Sequence, residues 1–199
     1  MSNVTKAVTV ISLTLAYCIV RYVGFGEVEM NNLPAFLVNK ATALTSVICL
    51  CLFMNSLRTN NKTARFFWGK AFFHLSMIHC GLSLALLSPD YFSAFYTVDK
   101  HRFSLWGELA VLVGVIGFYI SATCTQYASV QLRHRCYQCV LVMAGLHVAF
   151  MGGAGWLTPM DWYGGLPPIT FISFIVVIIG FLISLTGLNS HADSGQGIQ

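Results

Sequence analysis

The sequence predicts an all-α fold, a six-helix transmembrane bundle with both termini on the cytoplasmic side. Three observations predict it. Hydrophobic residues make up 56% of the 199 residues and charged residues only 9%, where soluble chains carry roughly a quarter charged residues. Six apolar stretches can be read, each near the roughly 20 residues a helix needs to cross a bilayer. No connection between them exceeds about 17 residues, well short of the roughly 50 residues of a small soluble domain. There is accordingly no room for an attached flavin or nicotinamide domain.

The segments follow in order. The first, at about 7 to 23, comes after Lys6 and has the outline of a leader peptide. In Leu15-Ala16-Tyr17-Cys18, however, a bulky Tyr17 stands where a processing site wants a small residue, so the segment is expected to remain as a helix. The second, at about 36 to 56, has Lys40 as its intramembrane charge. The third, 66 to 87, follows Arg65 and contains His74 and His79. The fourth, 104 to 126, contains Glu108. The fifth, 135 to 156, begins beside Arg133 and Arg135 and contains His147, and the sixth, 168 to 188, carries no charge. Residues 1–188 therefore read as one transmembrane domain and 189–199 as a polar tail.

Loop charges set the expected orientation through the positive-inside rule. The second connection carries Arg58, Lys62 and Arg65 and the fourth Arg133 and Arg135, whereas the first carries Glu27 and Glu29 and the fifth only Asp161. Connections two and four are expected in the cytoplasm. The third, with Asp90, Asp99, Lys100 and Arg102, is nearly balanced and follows by alternation to the outside. The net charge of +4 thus reports topology and does not point to nucleic acid. Tyr91, Phe92, Phe95 and Tyr96 in the third connection, and Trp156, Trp162 and Tyr163 around the fifth, are residue types that favour the membrane interface. All seven cysteines, Cys18, Cys49, Cys51, Cys80, Cys124, Cys136 and Cys139, fall in or at the ends of apolar segments, which argues against a disulfide framework in the loops.

His79 and His147 are the candidate site. An imidazole in hydrocarbon is costly, needs a partner and is a functional-site hypothesis by default. His79 lies 14 residues beyond Arg65 and His147 lies 12 beyond Arg135, so both sit about 20 Å from the cytoplasmic ends of their helices. Two imidazoles level with each other suggest one shared ligand. Haem iron takes imidazole as an axial ligand, and its macrocycle fits between helices. Gly81, Gly145, Gly152 and Gly153 flank the pair and suit close helix packing or close approach of a macrocycle. The alternative is that each histidine bonds a neighbouring helix. His74 stands five residues from His79, about 140° around the helix, and is read as structural.

Lys40 and Glu108 lie at similar depth, so the two could pair, or Lys40 could meet a haem propionate, or its ammonium could reach the interface. His134 is about 220° from His147 and at the inner membrane surface. It is an ordinary interfacial histidine or a contact for a quinone or a docked flavoprotein. Cys136 and Cys139 share a helix face beside His134, but a tetrahedral metal site would need a fourth ligand.

Two runs resemble a known family. Gly69 to His79, GKAFFHLSMIH, followed by CGLSLALL, and His134 to His147, HRCYQCVLVMAGLH, resemble the third and fifth helices of ferric reductase-like transmembrane proteins. NKATALTSVICLCLF from Asn39 is similar to the opening of that family's preceding helix. The resemblance covers residues 36 to 156 and lies nearest a short bacterial branch, typified by the membrane haem subunit of the periplasmic methionine-sulfoxide reductase system. It implies one b-type haem ligated by His79 and His147, and a further functional histidine at His134, near which a quinone or FMN would bind. It also implies a bacterial inner-membrane location. Arg133 stands where Leu is usual in the family, and no histidine stands at Gly69 for a second haem.

The expected function is therefore electron transfer by a membrane haem-b subunit, an oxidoreductase component and not a self-contained enzyme. Electrons would pass from a quinol or a cytoplasmic flavoprotein to a redox partner on the outer face, with lipid as the other partner and Lys40 as a further cofactor contact. The alternative is a haem-free relative that serves as a membrane scaffold or assembly subunit.

Overall fold

A computed structural model describes residues 1–26, 33–97, 99, 102–127 and 130–192, apart from the side chains of 94, 125–127, 130 and 187–192. Six helices account for nearly all of it: α1 Asn3–Ile19, α2 Leu33–Arg58, α3 Lys62–Ala85, α4 Leu105–Tyr127, α5 Val130–Trp156 and α6 Ile169–Ala192. Among the described residues the only strand-like pairing is one antiparallel bridge between Tyr96 and Phe103. Glu27, Glu29 and Lys100, which entered the charge argument, lie outside the described residues.

Among the described residues, five stretches are long and apolar enough to cross a membrane: Asn3–Gly24, Leu33–Arg58, Leu105–Cys124, Gln131–Trp156 and Tyr163–Thr186. This is compatible with a multi-pass membrane protein. The expected third span is a helix of 24 residues, about 36 Å long, yet it falls short in apolarity. Lys62, Arg65 and Lys70 crowd its first turns, and His74 and His79 follow. It does not stand apart from the bundle, because its inner face carries the buried Trp68 and Phe72 of the main core.

Local chemistry sets the helix ends. Ser2 caps α1 by accepting from the Thr5 backbone amide, and Asn61 caps α3 by accepting from Ala64, satisfying donors that a helix start leaves unpaired. Asn60 takes the left-handed backbone (φ 51°) that Asn tolerates better than most residues. That turn folds α3 straight back along α2.

Helix α2 lies at the centre. It packs against α1, α3 and α6, while α4 and α5 form an antiparallel hairpin that joins through α6. Leu50, Met54 and Leu141 are fully buried where α2 meets α5 and α6. Helix α3 packs on α2 but touches α4 only lightly, so the face of α3 turned toward the α4/α5 hairpin is loosely covered.

Two of the aromatic residues expected at the membrane interface turn inward instead. Phe92 and Phe95 are buried, at 8% and 6% exposure, and form a small core with Ala110. The physical reason is a short 3-10 turn, Ser93–Phe95, which folds the connection back onto the start of α4. There Gly107 faces the Phe95 backbone with no space for a Cβ.

Beyond α1 the chain makes one π turn, Val20–Gly24. Its Arg21 is buried between the rings of Tyr22 and Tyr163, 5.4 and 5.2 Å from their centroids. Its Nη1 donates to the Leu166 carbonyl, and the Tyr17 hydroxyl donates to the Pro167 carbonyl at 2.5 Å. The start of the chain is thus tied to the connection between α5 and α6.

Candidate functional site

His147 projects from α5 toward α4, where its Nδ1 lies 2.8 Å from the Ala110 carbonyl oxygen. A carbonyl only accepts, so Nδ1 carries the hydrogen, and in a neutral imidazole the lone pair is then on Nε2. Gly114, one turn along α4, makes room for the ring. A Cβ at that position would stand 3.0 Å from His147 Nδ1.

His79 reaches the same chemical state by another route. Its Nδ1 donates to the side-chain oxygen of Asn39 on α2 at 2.6 Å, and Ser83, one turn along α3, donates to that oxygen at 3.2 Å. Asn39 is 2% exposed, so its amide is held by these bonds without competition from solvent. Neither His79 Nε2 nor His147 Nε2 has a hydrogen bond among the described residues. The two rings are near enough to interact electrostatically, and both also feel Lys40. The structure therefore brings together three of the four residues singled out in the sequence.

Lys40 is not paired with Glu108. Its ammonium lies 5.2 Å from the Phe36 ring centroid and 5.4 Å from that of Phe92, a cation–π arrangement that stabilises a poorly solvated cation. Glu108 is exposed in the first turn of α4, where a carboxylate favours the helix N-terminus.

His134 stands apart. It is buried at the contact of α5 with α6, and its Nε2 is 3.1 Å from the Ser184 carbonyl oxygen. Gln138, one turn further, donates to the Ser184 hydroxyl at 3.1 Å. The next turns of the same contact border an apolar groove of about 390 Å³, lined by Leu141, Gly145, Phe174, Val177 and Phe181 among others. His74 is exposed and bonds the Lys70 carbonyl of its own helix at 2.7 Å. His134, Cys136 and Cys139 do not converge, since His134 faces α6, Cys136 neighbours Cys124 of α4, and Cys139 is exposed.

Among the described residues no three or more His, Cys, Asp and Glu side chains gather to hold a metal ion. The site offers two imidazole nitrogens, which is not a complete coordination shell but matches the number of ligands a bis-histidine haem takes from protein. The donor set fits haem in a second respect. A ligating histidine usually donates its other ring N–H to a carbonyl or carboxylate, which orients the ring and fixes its tautomer, and both histidines do so here.

Sequence reasoning missed Asn39, Ser83, Ala110 and Gly114. Asn39 was visible as the residue before Lys40, an amide in an apolar run. Ala110 acts through its backbone and leaves no sign in the sequence. Of the four glycines expected to matter, Gly145 and Gly152 adjoin α6, and Gly81 and Gly153 face open space. Compared with known proteins, the chain matches no family model and no curated sequence.

Proposed function

We propose that this chain is a haem-b electron-transfer subunit of the ferric reductase-like kind, in which His79 and His147 would hold the haem iron. One observation carries the reading. On two different helices, one depth-matched histidine each is tied through Nδ1 to an acceptor-only oxygen, so both Nε2 lone pairs are available together. A haem held between them would supply one-electron chemistry, and the protein would set its position and potential. Ala110 and Asn39 hold the imidazoles in the ligating tautomer, Ser83 holds Asn39, and Lys40 supplies a cation for the propionates. The light contact of α3 with α4 supports a macrocycle between α3 and the α4/α5 hairpin.

The chain would lie in a bacterial inner membrane with both termini in the cytoplasm. Electrons would enter from a quinol or a cytoplasmic flavoprotein and leave to an outer-face acceptor. Entry near His134 is supported by the polar cluster of His134, Gln138 and Ser184, which leads into an apolar groove suited to an isoprenoid tail. Partners would bring the hydride chemistry.

An absorption spectrum of purified protein, expressed with ample haem supply, tests the reading. A reduced b-type spectrum of low-spin bis-histidine character is expected. Protein free of haem would overturn it and leave the haem-free scaffold.

A further inference from the structure

Helices α4 and α5 share a seam of unusual regularity. On α4, Ala110, Gly114, Gly117, Ser121 and Cys124 recur at alternating spacings of four and three, the heptad pattern of helices packed along one face. On α5, running the other way, Phe150, His147, Met143, Val140 and Cys136 alternate spacings of three and four. The two contacts at the glycines fix how these rows match. A Cβ on Gly114 would stand 3.0 Å from the His147 ring, and one on Gly117 would stand 3.0 Å from Met143 Cβ. Small residues on α4 are what allow backbones this close.

Seven residues are two turns, which return to the same helix face within about 20°. Moving seven residues from Gly117 toward the hairpin reaches Cys124, and moving seven back from Met143 reaches Cys136. The seam stays tight in between, with Ser121 and Val140 at 1% and 4% exposure. The two thiols are near neighbours, both are free, and neither is fully buried. A disulfide needs Cβ atoms about 3.5–4.5 Å apart, and neighbouring thiols at matched positions of one seam are the arrangement from which it closes. Cys139, one turn from Cys136, is exposed on another face.

We propose that Cys124 and Cys136 are a dithiol–disulfide couple that staples α4 to α5 at the hairpin end of their seam, with a small apolar disulfide as the oxidant class. One cysteine thiolate attacks the reagent, forming a mixed disulfide and releasing one thiol. The second cysteine thiolate then displaces the remaining half as another thiol and closes the Cys124–Cys136 bond. The cysteines lose two electrons, the reagent gains them, and the two cysteine protons end on the two thiols released. Cys124 is three residues from the end of α4, about 5 Å, so a small apolar reagent reaches the pair from the membrane surface. The staple joins the same two helices that, further along the seam, tie His147 to Ala110. It requires no haem.

Full-length protein in lipid nanodiscs, treated with 4,4′-dithiodipyridine, alkylated and mapped by peptide mass spectrometry, tests this. A Cys124–Cys136 cross-linked peptide is expected, with two thiopyridones released per cross-link. A higher melting temperature than that of the dithiothreitol-reduced sample should accompany it. Cys124→Ser and Cys136→Ser should each abolish cross-link and shift, while Cys139→Ser should keep both. Should the serine variants fail to fold, the wild-type peptide map decides alone. Recovery of both thiols as separate pyridyl adducts, or a cross-link from either thiol to Cys139, would overturn the pairing. A Cys124–Cys136 cross-link without a rise in melting temperature would overturn the staple.

Discussion

His147 and His134 ride the same helix, 13 residues apart, and meet the carbonyls of neighbouring helices through different ring nitrogens. His147 gives Nδ1 to a carbonyl of α4, whereas His134 gives Nε2 to a carbonyl of α6. The more accessible nitrogen of His147 is thus left open, while that of His134 is engaged in holding two helices together. A histidine in a membrane helix is informative less by its presence than by which nitrogen its neighbours occupy. His79, on another helix with a different kind of partner, falls on the His147 side of that division.

The largest expected effect breaks the comparison at the ligating side. His79→Ala and His147→Ala should each abolish haem retention, measured as haem per protein by pyridine haemochrome. Retention of a full complement in either variant would remove that residue as a ligand. Gly114→Val should come next, because branched carbon would occupy the space of the His147 ring. A spectrum shifted toward high spin, with reduced haem content, is expected, and an unchanged spectrum would show that the ring does not depend on that clearance. Asn39→Ala removes the oxygen that orients His79, and loss of an outer partner of this kind weakens metal binding by about 10–100-fold. Haem titration of the apoprotein reads this directly, and an unchanged affinity would mean that His79 is oriented otherwise.

The smallest effects lie on the structural side. His134→Ala should keep its haem and lose about 1 kcal/mol of stability with the Ser184 bond, read by thermal unfolding in detergent. His74→Ala, at an exposed position, should stay within about 0.5 kcal/mol of the parent. Loss of haem in the His134 variant would erase the distinction between the two histidines of α5.

Much of the fold was legible because bilayer crossing imposes length and apolarity on each segment. The six helices fall within a few residues of the expected ranges. Helix α3 is the instructive exception, since the charges at its start and the histidines in its middle take it below what membrane crossing asks, although its length suffices. Phe92 and Phe95 were misread because residue type alone cannot separate a ring at the lipid surface from one folded back into a small core. Within the candidate site the histidines were legible as costly polar groups in apolar runs. Their anchors were not, because the Ala110 carbonyl belongs to every residue's backbone and the clearance at Gly114 has meaning only once α5 lies against it. The Lys40–Glu108 pair, one of the readings open for Lys40, is absent for a related reason. Equal depth does not place two side chains on facing sides of a bundle, and aromatic rings took the place of the carboxylate.

The Arg21 tie has a consequence for the order in which the protein is made. Its acceptor, the Leu166 carbonyl, is 145 residues further along the chain, which at roughly 5–20 residues per second of synthesis is about 7–30 s later. During that interval a guanidinium that will end up buried has neither the Leu166 carbonyl nor the Tyr163 ring to receive it. The first helix can pack on α2 early, but its Arg21 end gains its last partners only once the α5–α6 connection has emerged. Assembly of this bundle closes like a clasp, from the last loop back onto the first helix.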